Sequence, residues 1–208
     1  SRPVAELAGA GFELATDLPL RATLETLADG THLLGVVVHH IAADGWSLPP
    51  LVRDIVIAYT ARLSHQVPGW APLPVQYADY TLWELDRIGS ATDTGSLAAQ
   101  QLAYWTAALS GTSGAAPLPV DRRPGSDAAA TGGGAVSFPI RAELAAALSQ
   151  VARTHDSTEF MTAFAAYAVL LHQLSGCADL IVGTPVAGRG HPALDGLVGM
   201  FVNTLPLR

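Results

Sequence analysis

An uninterrupted apolar run at residues 33–38 (LLGVVV) constrains this chain more than any other stretch. It predicts a fully buried strand over residues 31–38, because a strand with one wet face would alternate apolar and polar side chains. Residues 18–28 alternate imperfectly and predict a half-buried strand, with Asp29-Gly30 as the turn between the two.

Helical spacing begins shortly after this strand. Ser47 is the predicted N-cap of a helix that starts at Leu48, with Pro49 and Pro50 in the first turn, where a missing N–H costs nothing. Apolar periodicity predicts further helices over residues 77–88, 96–109, 142–154 and 159–174. Strands are predicted at about 135–140, at LIVGT and in GMFVNTLPLR. Strands and helices are mixed throughout, so the predicted class is α/β or α+β.

A composition break separates two parts of the chain. Residues 111–134 are dense in Gly, Pro, Ser and Ala, which is typical of a linker or hinge. We therefore expect one lobe over residues 1–112, a hinge over 113–134 and part of a second lobe over 135–208.

Composition excludes several function classes. The formal net charge is −7 and the arginines are scattered, which argues against a nucleic-acid partner. No apolar run approaches the roughly 18 residues of a membrane span, and the first residues lack signal-peptide features, so a cytoplasmic location is expected. The single cysteine, Cys177, excludes a disulfide framework within the chain and a cysteine-based metal site.

The chemistry-bearing stretch is HHIAADGWS at residues 39–47. Neighbouring side chains on a strand point to opposite faces, so His39 and His40 are not expected to share a ligand, and no metal site is predicted. His40 at a strand end can expose an imidazole nitrogen in a cleft. The alternative is that His40 is a satisfied structural residue.

The rest of the stretch fits an acyl-transfer site. Asp44 can pair with an arginine or orient the histidine, and Gly45 allows a tight turn. Unpaired N–H groups at the start of the following helix can stabilise an oxyanion. The hydroxyl of Ser47 is committed as the N-cap, so direct transfer between two bound substrates is favoured over a covalent enzyme intermediate.

Three ordered motifs carry a family resemblance. HHIAADGWS resembles the HHxxxDGxS signature of the condensation domains of non-ribosomal peptide synthetases, which assemble antibiotics and other secondary metabolites. YADYTLW at 77–83 and VGMFVNTLPLR at 198–208 resemble two further segments of these domains, in the same order. The resemblance covers nearly the whole chain. It implies a chloramphenicol-acetyltransferase-like fold of two lobes, with the active site in a tunnel between them.

The resemblance also implies a reaction and its participants. A donor acyl or peptidyl thioester and an acceptor aminoacyl thioester arrive on the phosphopantetheine arms of upstream and downstream peptidyl carrier domains, beside an adenylation domain. No intrinsic cofactor is implied. His40 is the implied catalytic residue, and Gly45 contributes backbone near the thioester carbonyl.

The remaining residues of the three motifs receive supporting roles from the same resemblance. His39 and Asp44 have structural duties, and the partner of Asp44 is either Arg189 or Arg208. Other positions are assigned to the lobe junction or the tunnel: Tyr77, Asp79, Trp83, Asn203 and Thr204.

Three alternative functions remain open. A coenzyme-A-dependent acyltransferase of the same superfamily would take a soluble thioester, and an epimerisation domain would share the two histidines. Cyclising relatives carry aspartates in place of His39 and His40, which disfavours that branch. A non-catalytic docking module would keep the fold and recruit partner enzymes. The chain is also shorter than a complete domain of this family, so we expect an excised piece with exposed strand edges and a tendency to dimerise.

Overall fold

The computed structural model of this chain describes residues 6–7, 9–112, 114, 116–120 and 135–208. Most of the predicted hinge, residues 121–134, lies outside the described residues. The lobe boundaries at 112 and 135 remain a prediction about a domain longer than this chain.

Two antiparallel strands form the first sheet. Strand β1 (Leu20–Thr26) pairs with β2 (His32–Val38), with Leu20 opposite Val38 and Leu24 opposite Leu34. Both strands were predicted, but the expected complete burial of β2 is wrong. Gly35 is buried, whereas Leu34 remains 48% exposed. Among the described residues β2 pairs with β1 alone, and the side chains of Leu33 and Leu34 remain exposed.

The helices follow the predicted periodicity closely. Their bounds are α1 (Leu48–Leu63), α2 (Tyr77–Ile88), α3 (Leu97–Ala108), α4 (Ala142–Thr154) and α5 (Glu159–Ser175). Helix α5 is followed by Gly176, whose left-handed φ of 71° closes the last turn. No helix in the described part of the chain combines the length and the apolarity needed to cross a lipid bilayer.

The strand predicted at about 135–140 is absent. These residues are described, but they form no strand, and Val136 and Phe138 are 89% and 77% exposed. The alternating apolar pattern is present without a neighbouring strand to hydrogen-bond it, and alternation alone does not create a ladder.

The last strands pair with each other. Strand β3 (Val182–Val186) pairs with β4 (Asn203–Leu207) in the second sheet. Between them, a short 3₁₀ helix at Pro192–Leu194 leads into a small buried apolar cluster. Leu194, Leu197 and Phe201 form this cluster, and Val75 and Tyr80 pack against it.

The chain divides into two compact units. One contains Ser1–Tyr104 with Thr184–Leu205, and the other contains Trp105–Gly183 with Pro206–Arg208. The histidine motif and the segment 188–201 therefore belong to the same unit. In the second unit, α4 and α5 pack against each other.

Candidate active site

A turn of residues 39–42, here called the histidine turn, carries His40. Strand β2 ends at Val38, so the alternation of strand side chains does not determine where the two rings lie. His39 is half-buried, and its carbonyl accepts a hydrogen bond from the N–H of Ala42 at 2.9 Å. His40 is exposed and makes no hydrogen bond within the described part of the chain. The two histidines therefore lie in different surroundings because of a turn.

His40 and Gly45 both line an apolar groove of about 530 Å³, here called the histidine groove. Its walls come from β2 and from α1. The apolar lining residues are Leu34, Val36, Val38, Ala43, Leu48, Leu51, Val52, Ile55 and Val56. Such a lining leaves the imidazole as one of the few polar groups available to a molecule in the groove.

Beside the groove lies a buried polar cluster of Asp44, Ser47 and Arg189. The Arg189 side chain is 5% exposed, and that of Asp44 is 0% exposed. Arg189 Nη2 lies 3.2 Å from Asp44 Oδ1 and donates to Ser47 Oγ at 3.1 Å. The other guanidinium nitrogen, Nη1, donates to the carbonyls of Leu194 and Leu197. One arginine therefore joins the histidine motif to the segment that precedes β4.

Asp44 is held as an anion by neighbours distant in sequence. Its Oδ2 accepts a hydrogen bond from the N–H of Phe201 at 3.0 Å. Burial alone would raise the pKa of Asp44, but the hydrogen bonds from Phe201 and Ser47 and the charge of Arg189 outweigh it and hold the pKa below its usual value. Of the two arginines considered from the sequence, Arg189 is the partner. Arg208 instead pairs with Asp179 at 2.8 Å.

Ser47 is the N-cap residue of α1, as predicted, but its side chain does not perform the expected capping. Its backbone is already helical, and its side chain makes no capping bond to α1. Instead, Asp44 caps a short 3₁₀ turn at Gly45–Ser47, and its carboxylate accepts a hydrogen bond from the N–H of Ser47 at 2.9 Å. The fully buried Ser47 hydroxyl accepts from the N–H of Gly199 at 3.1 Å and lies 2.8 Å from both Asp44 Oδ1 and the Gly199 carbonyl.

The predicted oxyanion donors at the start of α1 are also corrected. The N–H of Leu48 donates to the carbonyl of Gly45, and Pro49 and Pro50 carry no N–H. The N–H groups of Gly45 and Trp46 make no hydrogen bond within the described residues. Of the two residues with unbonded N–H groups, Gly45 lines the groove, and both belong to the 3₁₀ turn rather than to the helix.

Gly45 is not required by the backbone. Its φ lies outside the left-handed region, and a Cβ added there would have no heavy atom within 4 Å. The expected tight turn is therefore wrong as the reason for this glycine. Gly45 instead leaves open space beside the groove, and a side chain at this position would occupy that space.

Tyr77, Asp79 and Trp83 lie on α2. The Tyr77 hydroxyl donates to the carbonyl of Met200 at 2.6 Å, and its ring meets Phe201 edge to face. Asp79 accepts a hydrogen bond from the N–H of Gln76 at 2.7 Å and so closes the first turn of the helix. Trp83 is 53% exposed. Tyr77 thus supports the same segment that Asp44 and Ser47 hold.

Asn203 and Thr204 begin β4. Asn203 Oδ1 accepts a hydrogen bond from the N–H of Thr204 at 2.8 Å, and both residues are exposed. Neither contacts the buried polar cluster, so their tunnel role stays a prediction. Within the described ranges, no three His, Cys, Asp or Glu side chains are grouped closely enough to hold a metal ion.

Sequence reasoning missed two glycines in the segment before β4. Gly188 has a φ of 67°, and a Cβ there would collide with the carbonyl oxygen of Phe201. A Cβ on Gly199 would collide with the ring of Tyr77. These contacts join segments distant in sequence, so spacing alone carried no signal for them.

Comparison with known proteins places this geometry in context. The profile of the family described as "Condensation domain" matches residues 3–208. The isonitrile lipopeptide synthase of Mycobacterium tuberculosis is 48% identical over 207 residues, which are 100% of this chain and 8% of that protein.

Two solved structures are also similar. The X-domain from teicoplanin biosynthesis, solved in complex with OxyB, has a TM-score of 0.85 and 29% identity, covering 100% of this chain and 45% of its own. The four-domain non-ribosomal peptide synthetase AB3403, solved with AMP and glycine, has a TM-score of 0.80 and 25% identity, covering 99% of this chain and 15% of its own. The chain spans less than half the length of each protein named here.

Proposed function

The chain belongs to the condensation-domain family of non-ribosomal peptide synthetases, and from that premise we propose that it contributes the histidine site for amide-bond formation between two carrier-bound thioesters. The expected fold class is confirmed: the chain has mixed helices and strands and carries part of the chloramphenicol-acetyltransferase-like two-lobed fold. The observation that carries the proposal is the exposed, unbonded imidazole of His40 beside Gly45 in the histidine groove.

The proposed step forms one bond and breaks another. The amine of the acceptor aminoacyl thioester attacks the carbonyl of the donor thioester, so a C–N bond forms and the C–S bond breaks. The nitrogen loses one proton, and the departing thiolate gains one. The product is an amide on the acceptor carrier and a free phosphopantetheine thiol on the donor carrier.

His40 is proposed to position the amine and accept its proton. An α-amino group titrates near about 8, so a fair fraction of it is neutral before attack at cellular pH. The imidazole of His40 can take the proton as the C–N bond forms. General-base assistance of this kind is worth about 10²–10⁴-fold, and holding both substrates together contributes at least a comparable factor.

The 3₁₀ turn is proposed to stabilise the developing oxyanion. The N–H groups of Gly45 and Trp46 are unbonded within the described residues, and Gly45 lines the same groove as His40. Preorganised N–H donors stabilise the charge of a tetrahedral intermediate without reorganisation during the reaction. The substrates come from peptidyl carrier domains loaded by an adenylation domain, and a cytoplasmic site of action is part of the same proposal.

The test uses the full-length protein that contains residues 1–208, with donor- and acceptor-loaded carrier domains, and mass spectrometry of the amide product. His40→Ala should lower the rate of product formation by about 10²–10⁴-fold. The matched control is His155→Ala, which removes an exposed histidine at the end of α4 in the other unit. Near-normal product formation with His40→Ala would contradict the proposed role.

A docking module is the second candidate, because the similar X-domain was solved as a complex with OxyB. In that case the full-length protein would bind a partner enzyme, and mixing loaded carriers would yield no amide. Binding of a partner with no product in the same assay would favour docking over condensation.

A further inference from the structure

Two side chains outside the three motifs, Phe12 and Arg21, pack together with the His39 ring of the histidine turn. The guanidinium of Arg21 lies over the ring of Phe12, with its Cζ 4.1 Å from the ring centroid. The ring of His39 also meets the Phe12 ring edge to face, with the two centroids 5.6 Å apart and an angle of 79° between the rings. Arg21, Phe12 and His39 are here called the Arg21 column.

The base of this column is firmly anchored. Arg21 Nη2 donates to Asp17 Oδ2 at 2.7 Å and to the carbonyl of Gly11 at 2.8 Å. Its Nη1 donates to the carbonyl of Ala10 at 3.2 Å. The N–H of Glu13 and then Arg21 lower the pKa of Asp17, so the anchor remains an ion pair near neutral pH. Arg21 therefore has a fixed position from which to hold the Phe12 ring.

His39 makes two hydrogen bonds that fix the backbone next to His40. His39 Nδ1 accepts a hydrogen bond from the N–H of Ile41 at 3.0 Å. The N–H of His39 donates to the carbonyl of Pro19 at 2.9 Å, just before β1. A side chain that accepts from the N–H two residues later is the arrangement that Asn and Asp make in an Asx-turn. Because Nδ1 is the acceptor, the proton of a neutral His39 lies on Nε2.

We propose that the Arg21 column positions the catalytic imidazole: Arg21 and Phe12 hold the His39 ring, and His39 Nδ1 fixes the turn that directs His40 into the groove. This role rests on the proposed function, since it assigns these residues to the placement of His40. It extends the site to three positions, Phe12, Asp17 and Arg21, that lie outside the three ordered motifs. They act through His39 and touch no substrate.

Two variants of His39 separate the hydrogen bond from packing. His39→Asn removes the ring but supplies an oxygen that can accept from the N–H of Ile41, whereas His39→Phe keeps a ring and removes the acceptor. In the full-length protein with loaded carriers, we expect His39→Asn to keep kcat within about threefold and His39→Phe to lower it about tenfold, with the KM for the acceptor carrier unchanged. The reverse order would overturn the proposal and assign His39 to packing.

Variants of Phe12 and Arg21 test whether these two residues affect catalysis through His39. Phe12→Leu and Arg21→Met should each lower kcat by about threefold to tenfold. Phe12→Tyr keeps the aromatic face and should leave kcat close to that of the unaltered protein. Arg53→Met is the matched control, because Arg53 is an exposed arginine on α1 whose ion pair with Asp54 lies outside the column. Full activity in both Phe12→Leu and Arg21→Met would overturn the proposal.

A second measurement does not depend on activity. Hydrogen–deuterium exchange of the peptide covering residues 39–47 should show the N–H of Ile41 exchanging about tenfold faster in His39→Phe than in the unaltered protein or His39→Asn. Unchanged exchange in His39→Phe would overturn the proposed positioning even for a folded, active protein. If the unaltered protein forms no amide, the proposed function fails, while this exchange pattern still supports or overturns the column.

Discussion

Arg189 Nη2 and Asp44 Oδ1 lie 3.2 Å apart although 145 residues separate them in the chain, and both side chains are almost entirely shielded from water. Ser47 joins the pair through its hydroxyl. A buried ion pair is costly to desolvate, so its value here lies in fixing one geometry for the loop that carries His40 and Gly45. Variants of Asp44, Arg189 and Ser47 test whether this cluster fixes the loop.

Removing either charge of this pair should destabilise the protein strongly. Asp44→Asn and Arg189→Met each leave the partner charge buried and unpaired, which costs about 3–5 kcal/mol in the free energy of unfolding. Urea unfolding of the full-length protein, followed by a probe in this unit, measures the loss. The control is Arg208→Met, which breaks an exposed pair with Asp179 and should change stability far less. Equal losses for the two arginines would contradict the assignment.

The carboxylate of Asp44 should make the free energy of unfolding fall at low pH. The hydrogen bonds from Phe201 and Ser47 and the charge of Arg189 hold the folded pKa of Asp44 below its ordinary value, despite the opposing effect of burial. The folded state therefore binds fewer protons than the unfolded state, and stability rises with pH. The contribution is complete above the unfolded pKa and is lost as pH falls through the folded pKa. Unfolding measured from pH 6 to about 2 at high salt, which screens exposed pairs, should show a smaller fall for Asp44→Asn.

Ser47→Ala should show the importance of one buried hydroxyl. The change leaves Arg189 Nη2 and the N–H of Gly199 each without one hydrogen-bond partner, and we expect a loss of about 1–3 kcal/mol. Product formation should fall as well, because the 3₁₀ turn is no longer held to the segment before β4. Ser64→Ala, at the exposed end of α1, should stay within about 0.5 kcal/mol of the unaltered protein. Similar stabilities for the two variants would contradict this role.

A methyl group should lower the stability of the protein at Gly199 and its activity at Gly45. Gly199→Ala places Cβ against the rings of Tyr77 and Phe201, so we expect a loss of about 1–3 kcal/mol from overpacking. Gly45→Ala meets no heavy atom within 4 Å and should leave the free energy of unfolding nearly unchanged. Its methyl group should instead lower amide formation by occupying space beside the groove. Thermal unfolding and the carrier assay together separate the two effects, and normal activity in Gly45→Ala would refute the second.

Local periodicity was sufficient to predict most elements of the fold. The prediction of 142–154 for α4 matches the observed bounds, because its apolar residues recur at helical spacing and no competing signal interrupts them. The predicted strand at about 135–140 failed, since a strand requires a hydrogen-bonded neighbour that local alternation cannot supply. The burial of β2 was overestimated for a related reason.

The candidate site was only partly accessible from the sequence. The motif indicated that Asp44 would pair with an arginine, but two candidates remained because the choice depends on contacts across the whole chain. Ser47 was correctly predicted as the N-cap residue of α1, but its hydroxyl contacts Arg189 and Gly199 rather than the first turn of the helix. The sequence did not indicate that Phe12 and Arg21 contact His39, since that arrangement depends on how residues 10–17 fold back on the histidine turn.

The hydrogen bond from the N–H of Phe201 to Asp44 has a consequence for synthesis of the chain. The two residues are 157 positions apart, so this bond cannot form until Phe201 has left the ribosome. At about 5–20 residues per second, the histidine motif waits on the order of 10–30 s for the partner that fixes its geometry. During that interval the nascent chain contains the complete motif without a structured site. A chain whose synthesis ends before Phe201 would therefore contain the motif but lack this contact.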